Sequence, residues 1–134
     1  MKKLSVILAV LVLAGCAEKE EYQNAVLKQM EQDKDIKDYG ITPETMVKCV
    51  VEESSNDMPG FFLLDPERRE AYKNYAKMLD LTNSKDPKKT LEDLRGSFGD
   101  PKSLADAHAN YVESVVECMS GLVTNTEEGL KKSQ

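Results

Sequence analysis

The clearest structural signal in this chain is residues 101–123, which read PKSLADAHANYVESVVECMSGLV. Intervals of four and three positions alternate between six of these residues, namely Leu104, His108, Tyr111, Val115, Cys118 and Leu122. Such spacing places side chains on one face of an α-helix, which turns once in about 3.6 residues. The stretch therefore predicts a long amphipathic helix whose apolar seam faces a core.

Helix starts are marked in four places by a residue with a side-chain oxygen followed by proline: Thr42-Pro43, Asp65-Pro66, Asp86-Pro87 and Asp100-Pro101. The side-chain oxygen accepts a hydrogen bond from a free N–H group of the first turn. Proline is tolerated there because the N–H group that it lacks would have no partner within the helix. No sustained alternation of polar and apolar residues and no Asn-Gly or Asp-Gly turn indicates a β-strand. The sequence predicts an all-α fold, a small bundle of about five helices over residues 18–38, 43–57, 66–81, 87–95 and 101–123.

The first sixteen residues differ in composition from the rest of the chain. Lys2 and Lys3 precede an apolar run over residues 4–14, which only Ser5 interrupts. The run is shorter than the roughly 20 apolar residues that span a bilayer. A positive start, a short apolar run and small residues after it are typical of an export signal.

The residues that end this region, Leu13-Ala14-Gly15-Cys16, resemble the lipobox of bacterial lipoproteins. The resemblance implies that the signal, residues 1–15, is removed and that Cys16 carries a diacylglyceryl group and an amide-linked acyl chain such as palmitate. Ala17, rather than an aspartate, follows the cysteine, which in that family favours the outer membrane of enteric-like hosts. The implied location is the cell envelope, with the protein lipid-anchored to the outer membrane and facing the periplasm.

Removal of the signal divides the chain into four parts. Residues 1–15 are the signal, 16–21 the lipidated N-terminus and a short tether, 22–124 the helical domain and 125–134 a flexible tail. The formal net charge of the whole chain is −6, and it becomes −8 without Lys2 and Lys3. This acidic surplus argues against nucleic acid as a partner, because binding phosphates requires an excess of lysine and arginine.

Cys49 and Cys118 remain after Cys16 is assigned to the lipid. Both lie on predicted core faces, and export would place them in an oxidising compartment where disulfides persist. We therefore predict one structural disulfide that staples the bundle, worth about 4 kcal/mol for a loop of this length. A redox pair or two metal-binding thiolates is the alternative, but the chain has no Cys-x-x-Cys and no neighbouring histidine. No metal site is predicted.

His108 is the only histidine in the chain, and it falls on the predicted seam of the last helix. One interpretation is a packed core residue. The other is a contact for a ligand or a pH-sensitive group, since imidazole titrates near neutrality. The chain also lacks a Gly-rich phosphate-binding loop, and its cysteines are assigned elsewhere. We therefore predict no catalytic residue, no cofactor and no enzyme activity.

Two of the predicted helices carry faces of different charge. The last helix bears acidic and amide side chains on one side, at Asp106, Asn110, Glu113 and Glu117, whereas the third bears a basic row at Arg69, Lys73 and Lys77. Either these two faces complement each other within the domain, or one of them faces a partner.

The most unusual segment is Pro59-Gly60-Phe61-Phe62-Leu63-Leu64, in which four large apolar residues follow one another between two predicted helices. Two interpretations remain open for Phe61, Phe62, Leu63 and Leu64. They fold over the core as a plug, or they form an exposed patch that contacts a partner.

Together these features predict a non-catalytic, membrane-tethered protein that binds or assists another protein of the cell envelope. Small lipid-anchored helical domains with one disulfide resemble, at the level of the fold alone, the pilotins of type II secretion systems and small periplasmic immunity proteins. The alternative is a carrier or sensor of a small ligand, held in an apolar pocket between the helices with His108 or a tyrosine as its polar contact.

Overall fold

The computed structural model describes the backbone of residues 2–132 and the side chains of residues 17–125. Within that backbone there are six α-helices, one 3-10 turn at Leu81–Asn83 and no strand. The helices are α1 (Lys2–Gln32), α2 (Lys34–Asp38), α3 (Pro43–Asn56), α4 (Pro66–Leu79), α5 (Pro87–Ser97) and α6 (Pro101–Lys132). The predicted all-α bundle is confirmed. The predicted signal at 1–15, the lipidation of Cys16 and nearly all of the predicted tail at 125–134 lie outside the described side chains.

All four predicted capping pairs start a helix, with the proline as its first residue. A side-chain oxygen of Thr42, Asp65, Asp86 and Asp100 accepts a hydrogen bond from a first-turn N–H in each case, at 2.7–3.3 Å. These bonds satisfy donors that the helix itself leaves unpaired. Capping is a local interaction, so the sequence is sufficient to place these four helix starts.

The first predicted helix is in fact two helices, because the helical conformation is interrupted at Asp33. The Asp33 carboxylate accepts hydrogen bonds from the N–H groups of Asp35 at 2.9 Å and Ile36 at 3.4 Å, and so caps α2. An aspartate side chain competes in this way with the helical hydrogen bonds of its own segment. The prediction of one continuous helix over 18–38 was therefore wrong. The break lets the fully buried Ile36 join the core.

Side-chain contacts show how the helices run relative to one another. Arg69 Nη2 donates to Glu18 Oε1 at 2.9 Å, whereas Gln29 Nε2, further along α1, donates to the carbonyl oxygen of Leu79 at 3.2 Å. The later residue of α1 contacts the later residue of α4, so the two helices are parallel. Helix α3 packs against both α1 and α6. Cys49 is joined to Cys118, whereas Ser54, further along α3, accepts from Asn110, which is earlier in α6, so α3 and α6 are antiparallel.

A cluster of three tyrosines forms the centre of the core. The ring of Tyr22, which is fully buried, lies 6.0 Å from the ring of Tyr72 and 5.6 Å from that of Tyr75, centre to centre. Their hydroxyls are hydrogen-bonded, in the same order, to Ser54 Oγ, Ser55 Oγ and Asn110 Nδ2 at 2.9–3.0 Å. Burial raises the pKa of Tyr22 above its ordinary value, so this hydroxyl stays protonated. The core thus buries aromatic area without leaving these hydroxyls unpaired.

The predicted disulfide between Cys49 and Cys118 is confirmed, with an S–S distance of 2.07 Å and a Cα–Cα distance of 5.9 Å. It joins α3 to α6, and the two cysteines are separated by 69 positions in the sequence. Cys118 is buried and Cys49 is half-buried against the core. The bond therefore links the last helix to the interior of the bundle.

The core face of α6 differs from the predicted seam at one important position. His108 is exposed, whereas Ala107, Tyr111, Ser114 and Cys118 are buried. Successive residues of a helix are rotated by about 100°, so burying Ala107 turns its neighbour His108 toward solvent. The interpretation of His108 as a packed core residue was wrong, and the small side chains of Ala107 and Ser114 form the contact surface instead.

The described part of the domain begins inside α1. Residues 17–21, predicted as part of a short tether, belong to this helix, and Glu18 is half-buried beside Arg69. The hydrogen bond from Arg69 lowers the pKa of the Glu18 carboxyl below its ordinary value. Among the helices whose residues are described, none has the length and apolar character that crossing a membrane requires.

Candidate functional site

A groove of about 900 Å³ runs between the N-terminal halves of α4 and α6. Its buried floor is formed by Ala71, Asn74 and Tyr75 from α4 and by Ala107 from α6. Phe98, from the loop that leads into α6, lies beside this floor, and its ring centre is 5.9 Å from that of Tyr75. The groove therefore offers an aromatic and apolar base on which the flexible stem of a long side chain can pack.

The walls of the groove are acidic. Five carboxylates line it, at Asp57, Glu67, Glu70, Asp106 and Glu113, and no lysine or arginine is among its described lining residues. Lys102 forms an ion pair with Asp106 at 2.6 Å. The other four carboxylates have no ion-pair partner within residues 17–125. Carboxylates that face one cleft add their potentials, so the groove attracts cations and repels anions.

One polar atom on the floor of the groove lacks a hydrogen-bond partner. Asn74 is only 4% exposed, and its Nδ2 donates to the carbonyl oxygen of Ser97 at 3.3 Å. Its Oδ1 accepts no hydrogen bond from any described residue. A buried carbonyl oxygen without a donor is costly, and it can only accept. The groove is thus suited to a ligand that brings an N–H or O–H group to Asn74.

No protein-family model, curated protein or solved structure matches this chain. The function is therefore inferred from the groove, from the apolar turn beside it and from the N-terminal residues.

The four apolar residues of the turn between α3 and α4 are exposed. Phe61 is 96% exposed, Phe62 65%, Leu63 36% and Leu64 51%. The interpretation of this segment as a plug over the core was therefore wrong. Contiguous exposed apolar residues are typical of interaction surfaces. We call this segment, residues 61–64, the apolar turn.

Polar contacts from α4 hold the apolar turn in one conformation. The guanidinium of Arg68 donates to the carbonyl oxygens of Ser55 and Gly60. The Asp65 carboxylate accepts from the N–H of Phe61 at 3.2 Å, and the Asp65 N–H donates to the carbonyl oxygen of Phe62 at 2.9 Å. Phe61 and Phe62 are therefore presented to solvent by a turn whose own backbone is hydrogen-bonded.

We expect the Gly60→Ala variant to lower the free energy of unfolding by roughly 1–3 kcal/mol, because Gly60 has a φ of +83° that favours glycine. A methyl group there would also lie 2.7 Å from the backbone nitrogen of Arg68. Urea denaturation measures the change. The matched control is Gly121→Ala, where the added methyl meets nothing within 4 Å, and a gain of about 0.5–1 kcal/mol is expected in a helix. Equal effects of the two substitutions would contradict this explanation.

The predicted site residues do not form one site. The apolar turn adjoins the groove through Pro59 and Pro66, which line it, whereas His108 lines neither this groove nor the smaller cleft beside α1. The carrier alternative requires an apolar pocket with His108 or a tyrosine as its polar contact. His108 does not provide that contact in either cavity, whereas Tyr75 lies on the floor of the groove. Among the described side chains, no group of three or more potential ligands is placed to hold a metal ion.

The sequence predicted some of the residues that line the groove. It showed the acidic side of α6, but the basic row on α4 does not face it: Arg69 bonds to Glu18 on α1 instead. The residues of α4 that do face α6 are Glu67, Glu70 and Asn74, spaced by three and four positions on one side of the helix. This spacing is visible in the sequence, but only the rotation of α4 in the bundle shows where these residues point.

Proposed function

We propose that the mature protein is a lipid-anchored, non-catalytic binding module of the bacterial cell envelope, and that its acidic groove receives a cationic segment of another envelope protein. The observation that carries this proposal is the groove itself, in which unpaired carboxylates surround a buried aromatic floor. The lipobox-like residues up to Cys16 support the anchor.

Charge supports a cationic partner rather than an anionic one. Glu70 on one wall and Glu113 on the other are both exposed and have no ion-pair partner among the described residues. A lysine or arginine between them would interact favourably with both carboxylates. Complementary potentials of this kind increase association rates and select partners more than they increase affinity.

The floor supports a long side chain with an apolar stem and a donor at its end. The stem of an arginine or lysine packs on aromatic rings, and a guanidinium also stacks on them favourably. Tyr75 and Phe98 provide such rings, and Asn74 Oδ1 provides the acceptor. The Asn110 amide, bonded to Ser54 and to Tyr75, fixes the position of the Tyr75 ring at this floor.

The test is site-specific cross-linking in the native envelope, with a photoreactive amino acid in place of Ala109, which is exposed and lines the groove. We expect a protein adduct from this position and none from the same replacement of Lys48, which is exposed on α3. The double substitution Glu70→Lys with Glu113→Lys should reduce the adduct by at least about tenfold, because it replaces attraction by repulsion.

The matched control for charge is Glu52→Lys with Glu53→Lys, two exposed residues of α3 that do not line the groove. It changes the net charge by the same amount and should leave the adduct intact. An adduct that forms equally from Lys48, or one that the groove substitutions leave unchanged, would refute the groove as the binding site. Failure to obtain any adduct from Ala109 would count against a protein partner.

A further inference from the structure

The apolar turn lies at the same end of the bundle as the N-terminus of the mature chain. Helices α1 and α4 are parallel, and Glu18 of α1 is bonded to Arg69 in the first turn of α4. The apolar turn directly precedes that turn of α4. Cys16 is two residues before Glu18, so the lipid is attached within about 7 Å of chain from this contact.

We propose that the apolar turn inserts into the surface of the bilayer that holds the lipid of Cys16, as a second contact between the domain and the membrane. This inference rests on the lipid anchor of the proposed function. The occupant is a lipid surface because a lipid on Cys16 would hold this end of the domain against one. Aromatic and aliphatic side chains that enter the bilayer surface are removed from water, and this removal is favourable without a complementary protein surface.

Several backbone groups of the apolar turn are hydrogen-bonded within the protein, which suits them to the bilayer surface. A backbone group that leaves water must find another hydrogen-bond partner. The Phe61 N–H, the Phe62 carbonyl and the Gly60 carbonyl are all bonded to groups of α4 and its cap, as described above. The side chains of Phe61 and Phe62 therefore enter the interface with these backbone groups already satisfied.

The charges around the apolar turn indicate which lipids it requires. Asp57 and Glu67 flank the segment, and both are exposed carboxylates. The neighbouring Arg68 and Arg69 are already hydrogen-bonded, to backbone carbonyls and to Glu18 respectively. No free basic residue adjoins the apolar turn in sequence within 57–69, so insertion does not depend on anionic headgroups.

The chain contains no tryptophan, so one introduced indole reports on its own position. The mature protein, processed and lipidated in its host, is reconstituted in vesicles of phosphatidylcholine and phosphatidylethanolamine that contain brominated phosphatidylcholine. We expect the fluorescence of the Phe61→Trp variant to be quenched at least twofold and shifted to the blue. Replacing a quarter of the lipid by phosphatidylglycerol should leave this quenching unchanged.

The matched control is Tyr39→Trp. Tyr39 is 55% exposed and follows α2, at the opposite end of α1, about 20 Å from Glu18 along the helix axis. Its indole should not be quenched. A lipidated Phe61→Trp variant that is no more quenched than Tyr39→Trp would overturn the insertion and leave the anchor standing. Quenching that appears only with phosphatidylglycerol would also overturn it.

Two further outcomes have equally definite meanings. If mass spectrometry finds Cys16 without lipid, both the anchor and the insertion are refuted, because the anchor determines which end of the domain faces the bilayer. If the indole of Phe61→Trp is unquenched in vesicles but shifts to the blue in native envelopes, the apolar turn contacts a protein instead. A Phe62→Trp variant, at a second exposed position, repeats the test if Phe61→Trp does not fold.

Discussion

The Cys49→Ala, Cys118→Ala double variant should lose about 4 kcal/mol of unfolding free energy relative to the oxidised protein. Without the disulfide the unfolded chain gains the freedom of a loop whose ends are 69 positions apart, and loop-closure entropy gives a loss of this size. Small domains have only about 5–15 kcal/mol of stability in total. Urea denaturation should therefore show a large decrease in midpoint, with the remaining protein close to unfolded at 37 °C.

Reductant provides the control for this experiment. Adding dithiothreitol to the wild-type protein should lower its midpoint to that of the double variant, while the double variant itself should not respond. Replacing both cysteines also leaves smaller side chains at Cys118, which is buried, and at Cys49, so the reduced wild type isolates the effect of the bond. A wild-type midpoint that reductant shifts by less than the equivalent of about 1 kcal/mol would refute a stabilising role.

The second large effect is expected for Cys16→Ser, which should move the protein almost entirely from the membrane fraction to the soluble fraction or leave the predicted signal uncleaved. Each buried methylene of an acyl chain contributes about 0.8 kcal/mol, and stable attachment requires more than one chain. The four residues of the apolar turn bury too little area to replace those chains. Fractionation followed by mass spectrometry of the N-terminal peptide measures both outcomes.

Ala17→Ser is the control for the anchor, because it leaves the cysteine and the preceding residues of the lipobox-like segment unchanged. It should remain lipidated and membrane-bound. If the Cys16→Ser protein sediments with membranes as completely as the wild type and has the same processed mass, Cys16 is not the point of attachment.

The parts of the fold that depend on local chemistry were predictable from the sequence. Thr42, Asp65, Asp86 and Asp100 each cap a helix through residues two or three positions away, so a short segment contains the whole interaction. The disulfide was also predictable, because the lipobox-like segment implies an oxidising compartment and leaves two cysteines. The break at Asp33 was missed because no proline or glycine marks it: residues 31–38 read EQDKDIKD, and only the cap formed by the Asp33 carboxylate separates the two helices.

The parts that depend on how helices rotate and pack were not predictable in the same way. His108 and Ala107 are adjacent, and which of them faces the core depends on contacts of α6 with α3. The exposure of Phe61 and Phe62 depends on Arg68 and Gly60, which hold the turn away from the bundle. The groove is formed by residues of both α4 and α6, so neither helix alone predicts it. That Asn74 Oδ1 has no hydrogen-bond donor among the described residues can be seen only in the structure.

The proposed export route determines when the bond between Cys49 and Cys118 can form. On the proposed route the precursor is made in the cytosol, where thiols are kept reduced. There α6 is not yet covalently joined to α3, so the precursor lacks the several kcal/mol that the bond later supplies. The nascent domain therefore stays easy to unfold while it must still be threaded through a membrane, and it becomes firmly folded only after oxidation on the far side. On the proposed route, the disulfide thus favours translocation in one direction, because the oxidised domain is harder to unfold again.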